Sequence, residues 1–307
     1  FDYRGDVQLA PGHLLLFGAQ REDERFQATG IDRSNGNTGG FAELQSAITD
    51  RAFLVANIRH DENDQFGGAT TFRIAPSYTL PYTETRLKGS VGTGFKPPTL
   101  SQLYQDYPGF RFYGNPALRP EESFGFDGGF EQPLGDRVLV GATYFETDFR
   151  NLIQTAYFPT YGTNVNVGRA VAYGAESFVS VKLTDTLSGR VDYTNTVTKD
   201  EIAHQELLRR PRHKISATAI WNPMPQLTLT GTLVAIGSFV DGNRDFSVRR
   251  LKNPGFTLVN LSANYAYSDN LTLFARIDNL FDKRYQNPTG YLGAGLAVYG
   301  GVRVTSF

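Results

Sequence analysis

The side chains best suited to chemistry in this 307-residue chain are aromatic and amide groups in segments rich in proline and glycine. Such groups can stack on a bulky ligand or hydrogen-bond to it, although surface loops also carry aromatic residues without binding anything. The residues concerned are Tyr104, Tyr107, Tyr113, Asn115 and Tyr291. No nucleophile, base and acid occur in a recognisable arrangement. Binding is therefore favoured over catalysis, and we expect no enzyme.

The histidine and acidic residues give little reason to expect a metal or a cofactor. The four histidines are scattered without the spacing of metal ligands, at His13, His60, His204 and His213. Asp61, Glu62 and Asp64 form an acidic cluster that could hold a Ca²⁺ ion, although a solvated acidic loop explains it better. We predict no cofactor, with Ca²⁺ in this loop as the alternative.

Composition excludes several classes of protein. A net charge of −1 gives no reason to expect nucleic acid as a partner. The absence of cysteine excludes disulfides and thiolate metal sites. Hydrophobic residues make up 40% of the chain, and no apolar run is long enough for a transmembrane helix. Membrane-spanning β-strands stay possible, because they alternate apolar and polar residues and so keep the mean hydropathy low.

Alternation of apolar and polar residues is the dominant pattern of the sequence. Residues 227–235 alternate apolar residues with threonine, and residues 257–267 alternate apolar residues with asparagine or serine. Such segments predict fifteen strands, at 3–10, 13–26, 38–48, 51–62, 69–80, 85–95, 123–134, 137–149, 167–183, 187–200, 211–222, 227–241, 255–268, 271–285 and 296–307. Most exceed the five or six residues typical of soluble proteins, and a tilted strand needs about 9–11 residues to cross a bilayer.

The connections between these strands alternate between tight and long. Tight turns are predicted at 11–12, 49–50, 81–84, 135–136, 184–186, 223–226 and 269–270. Long loops are predicted at 27–37, 63–68, 96–122, 150–166, 201–210, 242–254 and 286–295. Outer-membrane barrels have short periplasmic turns and longer extracellular loops. The fold class predicted is therefore all-β, an antiparallel transmembrane β-barrel.

The strand count is odd, and the first connection is a tight turn, whereas bacterial barrels have an even count with both ends in the periplasm. An open sheet would also leave unpaired backbone groups in lipid, which is very costly. We therefore expect residues 1–307 to be the C-terminal portion of a barrel, completed by upstream strands or, alternatively, by a second chain.

Several segments resemble one bacterial family, the TonB-dependent receptors. FKPP at 95–98 and NPALRPE at 115–121 resemble the paired elements of that family, and ETDFRNLI at 146–153 resembles a third. NVGRAVAYGAE at 166–176 and RIDNLFDKRY at 276–285 resemble two more, and the last residue, Phe307, matches the signal that the barrel-assembly machinery reads. The matches extend from about residue 85 to the end of the chain.

Within the family, the resemblance is closest to cobalamin (vitamin B12) transporters, which share GNPxLxPE and the LLRR found here at 207–210. By this resemblance Arg209 is a ligand contact in an extracellular loop, with Arg210 beside it. A guanidinium could donate to the amides or phosphate of a corrinoid. The alternative is a solvated basic loop, which could contact lipopolysaccharide phosphates. Haem is disfavoured, because haem receptors carry a ligating histidine that segment 95–120 lacks.

The resemblance implies an active transporter in the outer membrane of a Gram-negative bacterium. Its barrel would have about 22 strands, in contact with membrane lipid and lipopolysaccharide. The plug domain and the TonB contact would belong to an N-terminal part that residues 1–307 do not contain. Its ligand would be cobalamin. The alternatives are a ferric-siderophore receptor of the same family, a passive porin-like channel and a soluble β-structural adhesin.

Overall fold

The computed structural model describes residues 1–242, 248 and 250–305, and most of them lie in β-strands. The long strands are β1 (Asp2–Ala10), β2 (His13–Ala28), β3 (Ile31–Thr49), β4 (Ala52–Asn63), β5 (Gly67–Thr79), β6 (Arg86–Lys96), β8 (Glu121–Leu134), β9 (Val138–Tyr157), β10 (Gly162–Lys182), β11 (Leu187–Asp200), β12 (His213–Met224), β13 (Leu227–Ile236), β16 (Phe256–Ser268), β17 (Leu271–Asp278) and β18 (Ala297–Val304). The short elements are helix α1 (Leu100–Tyr104), a 3₁₀ turn (Pro108–Phe110), β7 (Phe112–Tyr113), β14 (Phe239–Asp241) and β15 (Leu251–Asn253).

The fifteen long strands of the described residues are hydrogen-bonded to their neighbours in chain order, which confirms the predicted number of strands. Strand β7 pairs with β10 outside this path, and β14 pairs with β15 in a separate two-stranded sheet. By contacts the chain divides into two units, and strands β8 to β11 contribute to both.

The first unit comprises Phe1–Phe130, Tyr144–Tyr173 and Thr198–Gln205. In the antiparallel pairing of β3, β4 and β5, polar residues lie opposite polar residues and apolar residues opposite apolar ones in the rows described next. Glu43, Asn57 and Arg73 form one cross-strand row on one face of the sheet. The next row, on the opposite face, contains Ile58 and Phe72. This part of the sheet therefore has a polar and an apolar face, as the alternation predicts.

The second unit comprises Glu131–Thr143, Gly174–Val197 and Glu206–Phe307 and repeats this arrangement. Leu261, Ile277 and Val298 lie opposite one another on three successive strands. The adjacent row, on the other face, holds Ser262 and Arg276. A step of one residue thus replaces an apolar row by a polar one in this part of β16 to β18, which favours this register over one shifted by a single residue.

The apolar rows are exposed rather than packed against a second layer of protein. Ile58 is 55% exposed and Val298 is 68% exposed, and many other large apolar side chains resemble them. A soluble sandwich or barrel would bury such faces, because each side chain of this kind gains about 1.5–3 kcal/mol on leaving water. Lipid supplies that environment in an outer-membrane protein. Among the described residues, no helix has the length and apolar character needed to span a bilayer.

The seven predicted tight turns lie between strand ends as expected. The predicted long loops 27–37 and 150–166 are wrong, because the strands continue as hairpins and leave only short connections at 29–30 and 158–161. The loop predicted at 63–68 corresponds to the connection at 64–66. Period-2 hydrophobicity ends at the membrane boundary, whereas hydrogen bonding between strands does not, so the sequence pattern underestimated strand length there.

Two predicted strands end earlier than expected. The strand predicted at 271–285 stops at Asp278, because Asn279 and Asp282 adopt left-handed backbone conformations, with φ of 50° and 47°. The strand predicted at 227–241 stops at Ile236, and β14 follows as a separate element. Phe307, the predicted assembly signal, lies outside the described residues and stays a prediction.

Candidate functional site

In the first unit, the connection 96–122 is an ordered structure rather than an extended loop. Helix α1 begins after Thr99, whose hydroxyl accepts a hydrogen bond from the Gln102 backbone at 3.2 Å. The Gln102 side chain accepts one from the Thr99 backbone at 2.9 Å, which completes a capping box. This reciprocal cap stabilises a helix that is too short to form on its own.

Helix α1 is anchored by a small hydrophobic core. Leu100, Leu103 and Leu118 are almost completely buried, at 1%, 0% and 3% exposure. The partly buried side chains packed against them are Phe26, Phe66, Tyr104 and Ile153. Because these residues come from four separate segments, the core joins the 96–122 connection to the hairpins beside it.

Asn115, a predicted ligand contact, holds the backbone of the connection together. Its Nδ2 donates to the carbonyl of Asn164 at 2.8 Å, and its Oδ1 accepts from the Ala117 backbone at 3.0 Å. Gly114 precedes it where the chain passes so close that a β-carbon would lie 2.6 Å from the Leu103 carbonyl oxygen. The GNP sequence therefore suits a close backbone approach, and the Asn115 amide has structural partners.

Tyr104 and Tyr113 occupy different surroundings in the same unit. The Tyr104 hydroxyl accepts a hydrogen bond from Gln65 at 2.9 Å, and the Arg33 guanidinium lies 5.3 Å from its ring centre. Tyr113 is 39% exposed and its ring lies 6.5 Å from that of Tyr161. Tyr104 thus stabilises the connection, whereas Tyr113 presents its ring to solvent.

In the second unit, a buried carboxylate joins three segments that were predicted to be outer loops. Asp241 is completely buried, and its Oδ1 accepts from Arg209 Nε at 2.8 Å. The same oxygen accepts from the Gly242 backbone, and Oδ2 accepts from the Thr289 backbone, both at 2.8 Å. The loop before β12, the β14–β15 hairpin and the segment after β17 therefore meet at one side chain.

The charge of Asp241 is stabilised by these partners. Burial raises the pKa of the carboxyl group, but the hydrogen bonds from Arg209, Thr289 and Gly242 outweigh it and lower the pKa below its usual value. Asp241 is therefore ionised at neutral pH. Because its charge is paired, the burial of this carboxylate is compatible with a stable loop structure.

A buried asparagine makes a second junction in the same region. Asn253, on the strand opposite Phe239, donates to the carbonyl of Gln286 and to the hydroxyl of Thr289, both at 3.1 Å. Its own Oδ1 accepts from the Gly255 backbone at 3.0 Å. The β14–β15 hairpin is thus held to the 286–291 segment at both of its strands.

The other predicted ligand contacts of the second unit lie next to this junction. Arg210 is exposed and donates to the carbonyl of Arg209 at 3.3 Å. Tyr291 is 50% exposed and follows Thr289 in the segment that Asp241 holds. The structure therefore brings Arg209 and the Tyr291 segment together through Asp241. Their role in ligand binding stays a prediction, as does contact of this basic loop with lipopolysaccharide.

Sequence reasoning missed Asp241 and Asn253. Each is a single polar residue in a predicted loop or at a strand end, and its partners lie about 30–50 positions away in sequence. One signal in the sequence could have pointed to Asp241, which directly follows the apolar pair Phe239-Val240. Apolar neighbours suggest burial, and a buried carboxylate needs a partner.

The acidic cluster considered for calcium is divided among different partners. Asp61 pairs with Arg59 at 2.6 Å and accepts from Asn37, whereas Asp64 pairs with Arg21 at 3.1 Å. Across the described ranges, no three histidine or acidic side chains are grouped so that they could hold a metal ion. A calcium ion at this loop stays a prediction without structural support.

A polar cavity of about 520 Å³ lies elsewhere in the first unit. Arg169 is at its edge and pairs with Asp148 and with Glu201, each at 3.0 Å. None of the residues predicted to contact a ligand lines this cavity. It is therefore separate from the candidate site.

The NLFDKRY segment is explained by the backbone turn that Asn279 makes. This residue is 4% exposed, and its Nδ2 donates to the carbonyls of Lys283 and Ala294, each at 3.0 Å. Its Oδ1 accepts from the Lys283 backbone at 2.8 Å, and its own N–H donates to Asn260. Asparagine suits this position because it tolerates a positive φ.

Comparison with known proteins decides the family. The family model "TonB dependent receptor-like, beta-barrel" matches residues 2–280. The chain belongs to the TonB-dependent receptor β-barrel family. It is thus part of a bacterial outer-membrane receptor. The members of this family are transporters and receptors rather than enzymes.

Two relatives illustrate the range within this family. The receptor chain is 30% identical over 297 residues to the vitamin B12 transporter BtuB of Photobacterium profundum, which covers 92% of this chain and 46% of that protein. It is 28% identical over 298 residues to the iron-regulated outer membrane virulence protein of Vibrio cholerae serotype O1, which covers 88% and 46%. The chain thus spans about half the length of these relatives.

Solved structures agree on the fold. A mutant of the ferric enterobactin receptor PfeA of Pseudomonas aeruginosa, in complex with enterobactin, aligns with the receptor chain with a TM-score of 0.82 at 21% identity. The alignment covers 99% of the receptor chain and 53% of the PfeA chain. The copper transporter OprC aligns with 95% and 54%, with a TM-score of 0.78 at 16% identity. The TM-scores establish the β-barrel fold, whereas identities this low leave the ligand open.

Proposed function

We propose that residues 1–307 form the membrane-spanning and ligand-binding part of a transporter that imports cobalamin. The observation that carries this proposal is the 30% identity to a vitamin B12 transporter over 92% of the chain. It is supported by Arg209, which the LLRR resemblance assigns to the ligand and which the loop junction holds in place. In this proposal Arg209 donates to an amide or phosphate oxygen of the corrinoid.

The remaining parts of the transport cycle belong to the same proposal. A plug domain and upstream strands, encoded before residue 1, would complete a barrel of about 22 strands and contact TonB. Ligand would bind to the outer loops and the plug, and energy delivered through TonB would then rearrange the plug. Outer-membrane lipid and lipopolysaccharide would surround the apolar rows.

A ferric siderophore is the second candidate ligand. It is favoured by the 28% identity to a protein described as iron-regulated, which covers 88% of the chain. A passive porin-like channel is less well supported. Such a channel does not require ordered outer loops, and it does not explain why the chain belongs to a TonB-dependent family.

Equilibrium binding to the intact receptor, expressed from its complete gene, tests the proposal. We expect cyanocobalamin to bind and a ferric siderophore not to compete with it. Binding of the siderophore alone would support the second candidate. Ligand-independent conductance in planar bilayers, without binding of either compound, would overturn both in favour of a channel.

A further inference from the structure

A group of exposed aromatic side chains and one exposed arginine lie on two neighbouring segments of the first unit. We name this group the aromatic patch and define it as Tyr107, Phe110, Arg111, Tyr113, Phe158 and Tyr161. Phe110 is 85% exposed, and the other four rings are between 39% and 44% exposed. Exposed apolar groups that lie together on a protein surface mark binding sites more often than single exposed residues do.

Backbone hydrogen bonds hold the two segments of the patch together. β7 and β10 pair in parallel, with Phe112 opposite Gly162 and Tyr113 opposite Thr163. The carbonyl of Arg111 also accepts from the Gly162 backbone at 2.8 Å. The rings of the patch are therefore fixed to one scaffold rather than to two independent loops.

Each segment is itself a closed turn. The backbone of Phe110 donates to the Tyr107 carbonyl at 2.9 Å, and that of Phe158 donates to the Tyr161 carbonyl at 2.7 Å. The rings of Phe158 and Tyr161 are stacked with centres 5.0 Å apart. Because the turns already restrict the backbone of both segments, and stacking restricts the rings of Phe158 and Tyr161, less conformational entropy would be lost when a ligand binds there than on a flexible loop.

The charge of the patch limits the kind of ligand that it fits. Residues 107–113 and 157–163 contain one charged side chain, that of Arg111, which is exposed. The carboxylate of the neighbouring Asp106 accepts a hydrogen bond from the Gly114 backbone at 3.0 Å. One guanidinium complements one anionic group, whereas a ferric tris-catecholate complex carries three negative charges. The rings suit a flat aromatic group beside that anion.

We infer that the aromatic patch binds the nucleotide end of a corrinoid, a benzimidazole ring next to a single phosphodiester. The rings would contact the benzimidazole and Arg111 would pair with the phosphodiester. The inference rests on the proposed function and deepens it, because it assigns a part of the ligand to residues that the sequence analysis did not group together.

Two corrinoid probes test the inference in the intact receptor. Cyanocobalamin has the nucleotide end and dicyanocobinamide lacks it. We expect the wild-type receptor to bind cyanocobalamin more tightly, and Phe110→Ala to weaken that binding about threefold to tenfold while leaving dicyanocobinamide binding unchanged. Arg111→Asn, which keeps a residue suited to its φ of 51°, should have a similar selective effect. Arg111→Lys should retain most of the binding.

Tyr82→Asn is the matched control. Tyr82 is fully exposed in the 81–84 turn and also has a positive φ, so the variant removes an exposed ring outside the patch. We expect it to bind both corrinoids as the wild type does. Retention of the heat-modifiable, folded-barrel band on gels checks that every variant is folded.

The outcomes separate the inference from the proposed function. If neither corrinoid binds to the wild type, the proposed function fails. If both bind but the patch variants weaken neither, or weaken both equally, the inference fails and the proposed function stands. If the variants instead weaken binding of a ferric tris-catecholate, the assignment of the patch to a singly anionic ligand is overturned.

Discussion

Arg209 and Asp241 form an ion pair between an exposed guanidinium and a fully buried carboxylate, with Nε 2.8 Å from Oδ1. The partners are 32 residues apart in sequence and lie on different connections between strands. Asp241 also accepts from the backbone of Thr289. The arginine that the family resemblance assigns to a ligand is thus also part of the structure that orders the loops around it.

The first prediction concerns the carboxylate itself. Asp241→Asn keeps the size of the side chain, but it removes the charge and one of the two acceptor oxygens. The free energy of local opening at the Thr289 amide should fall by about 1–3 kcal/mol, the usual cost of leaving a buried group unpaired. Hydrogen–deuterium exchange of the 286–291 segment in detergent measures this change.

Asp185→Asn is the control for this substitution. Asp185 also pairs with an arginine, Arg137, at 3.4 Å, but its side chain is 96% exposed. An exposed pair of this kind contributes little to stability. Equal exchange rates in the two variants would show that the buried pair does not order the loops.

The second prediction follows from the lowered pKa of Asp241. Because the pKa is lower in the folded protein than the ordinary value of about 3.9, the pair stabilises the folded loops fully above about pH 4. That stabilisation decreases as the pH falls toward and through the lowered pKa. Exchange of the Thr289 amide, corrected for its intrinsic pH dependence, should therefore accelerate below about pH 4 in the wild type. Asp241→Asn should show no such acid transition.

The third prediction separates the two roles of Arg209. Arg209→Gln should weaken cyanocobalamin binding about tenfold or more, since hydrogen bonds to charged groups contribute about 1.5–3 kcal/mol. The same variant leaves the Asp241 charge without its ion-pair partner, so loop disorder could weaken binding as well. Asp241→Asn alone loosens the same loops but keeps Arg209, so its affinity for cyanocobalamin measures the loop effect by itself. If Asp241→Asn weakens binding as much as Arg209→Gln does, Arg209 acts only through the loops and is not a ligand contact.

Sequence reasoning identified the strands because their physical cause is local. Alternation at positions such as Leu261 and Ser262 follows directly from a sheet with lipid on one side and polar surroundings on the other. Residues 27–37 and 150–166 were misassigned, because hairpins that extend beyond the membrane no longer need apolar residues on one face. Strand pairing there depends on backbone hydrogen bonds, which the sequence does not display.

The candidate site was less predictable than the fold because its contacts are not local. Asn115 was singled out as a possible ligand contact, yet its amide is used for the carbonyl of Asn164, 49 positions away. The aromatic patch was only partly recognised, since Tyr107 and Tyr113 were noted but Tyr161 belongs to another segment. The β7–β10 pairing that joins them involves only two residues from each strand, too few for any periodic pattern to reveal.

The fourth prediction concerns the turn at Asn279. Asn279→Ala removes the side chain that makes hydrogen bonds to Lys283 and Ala294. It also places alanine, which adopts a positive φ less readily than asparagine, at a position with a φ of 50°. We expect the midpoint of heat-induced unfolding of the barrel to fall. Asn279→Gly relieves the backbone conformation but lacks the same hydrogen bonds. The difference between the two variants therefore measures the backbone contribution alone, and equal midpoints would show that only the hydrogen bonds matter.

The fifth prediction tests whether the 96–122 connection is stabilised by its own core. Leu103→Ala should destabilise this connection by about 2–5 kcal/mol, because Leu103 is fully buried among Leu100 and Leu118 and its truncation leaves a cavity. Leu292→Ala, at a leucine that is 78% exposed, is the matched control and should change stability little. Limited proteolysis should then cleave the Leu103 variant within 96–122 while the strands stay intact. The strands are paired by backbone hydrogen bonds outside this core, so they should stay folded in the Leu103 variant. Loss of the whole barrel in this variant would mean that the fold itself depends on the 96–122 connection.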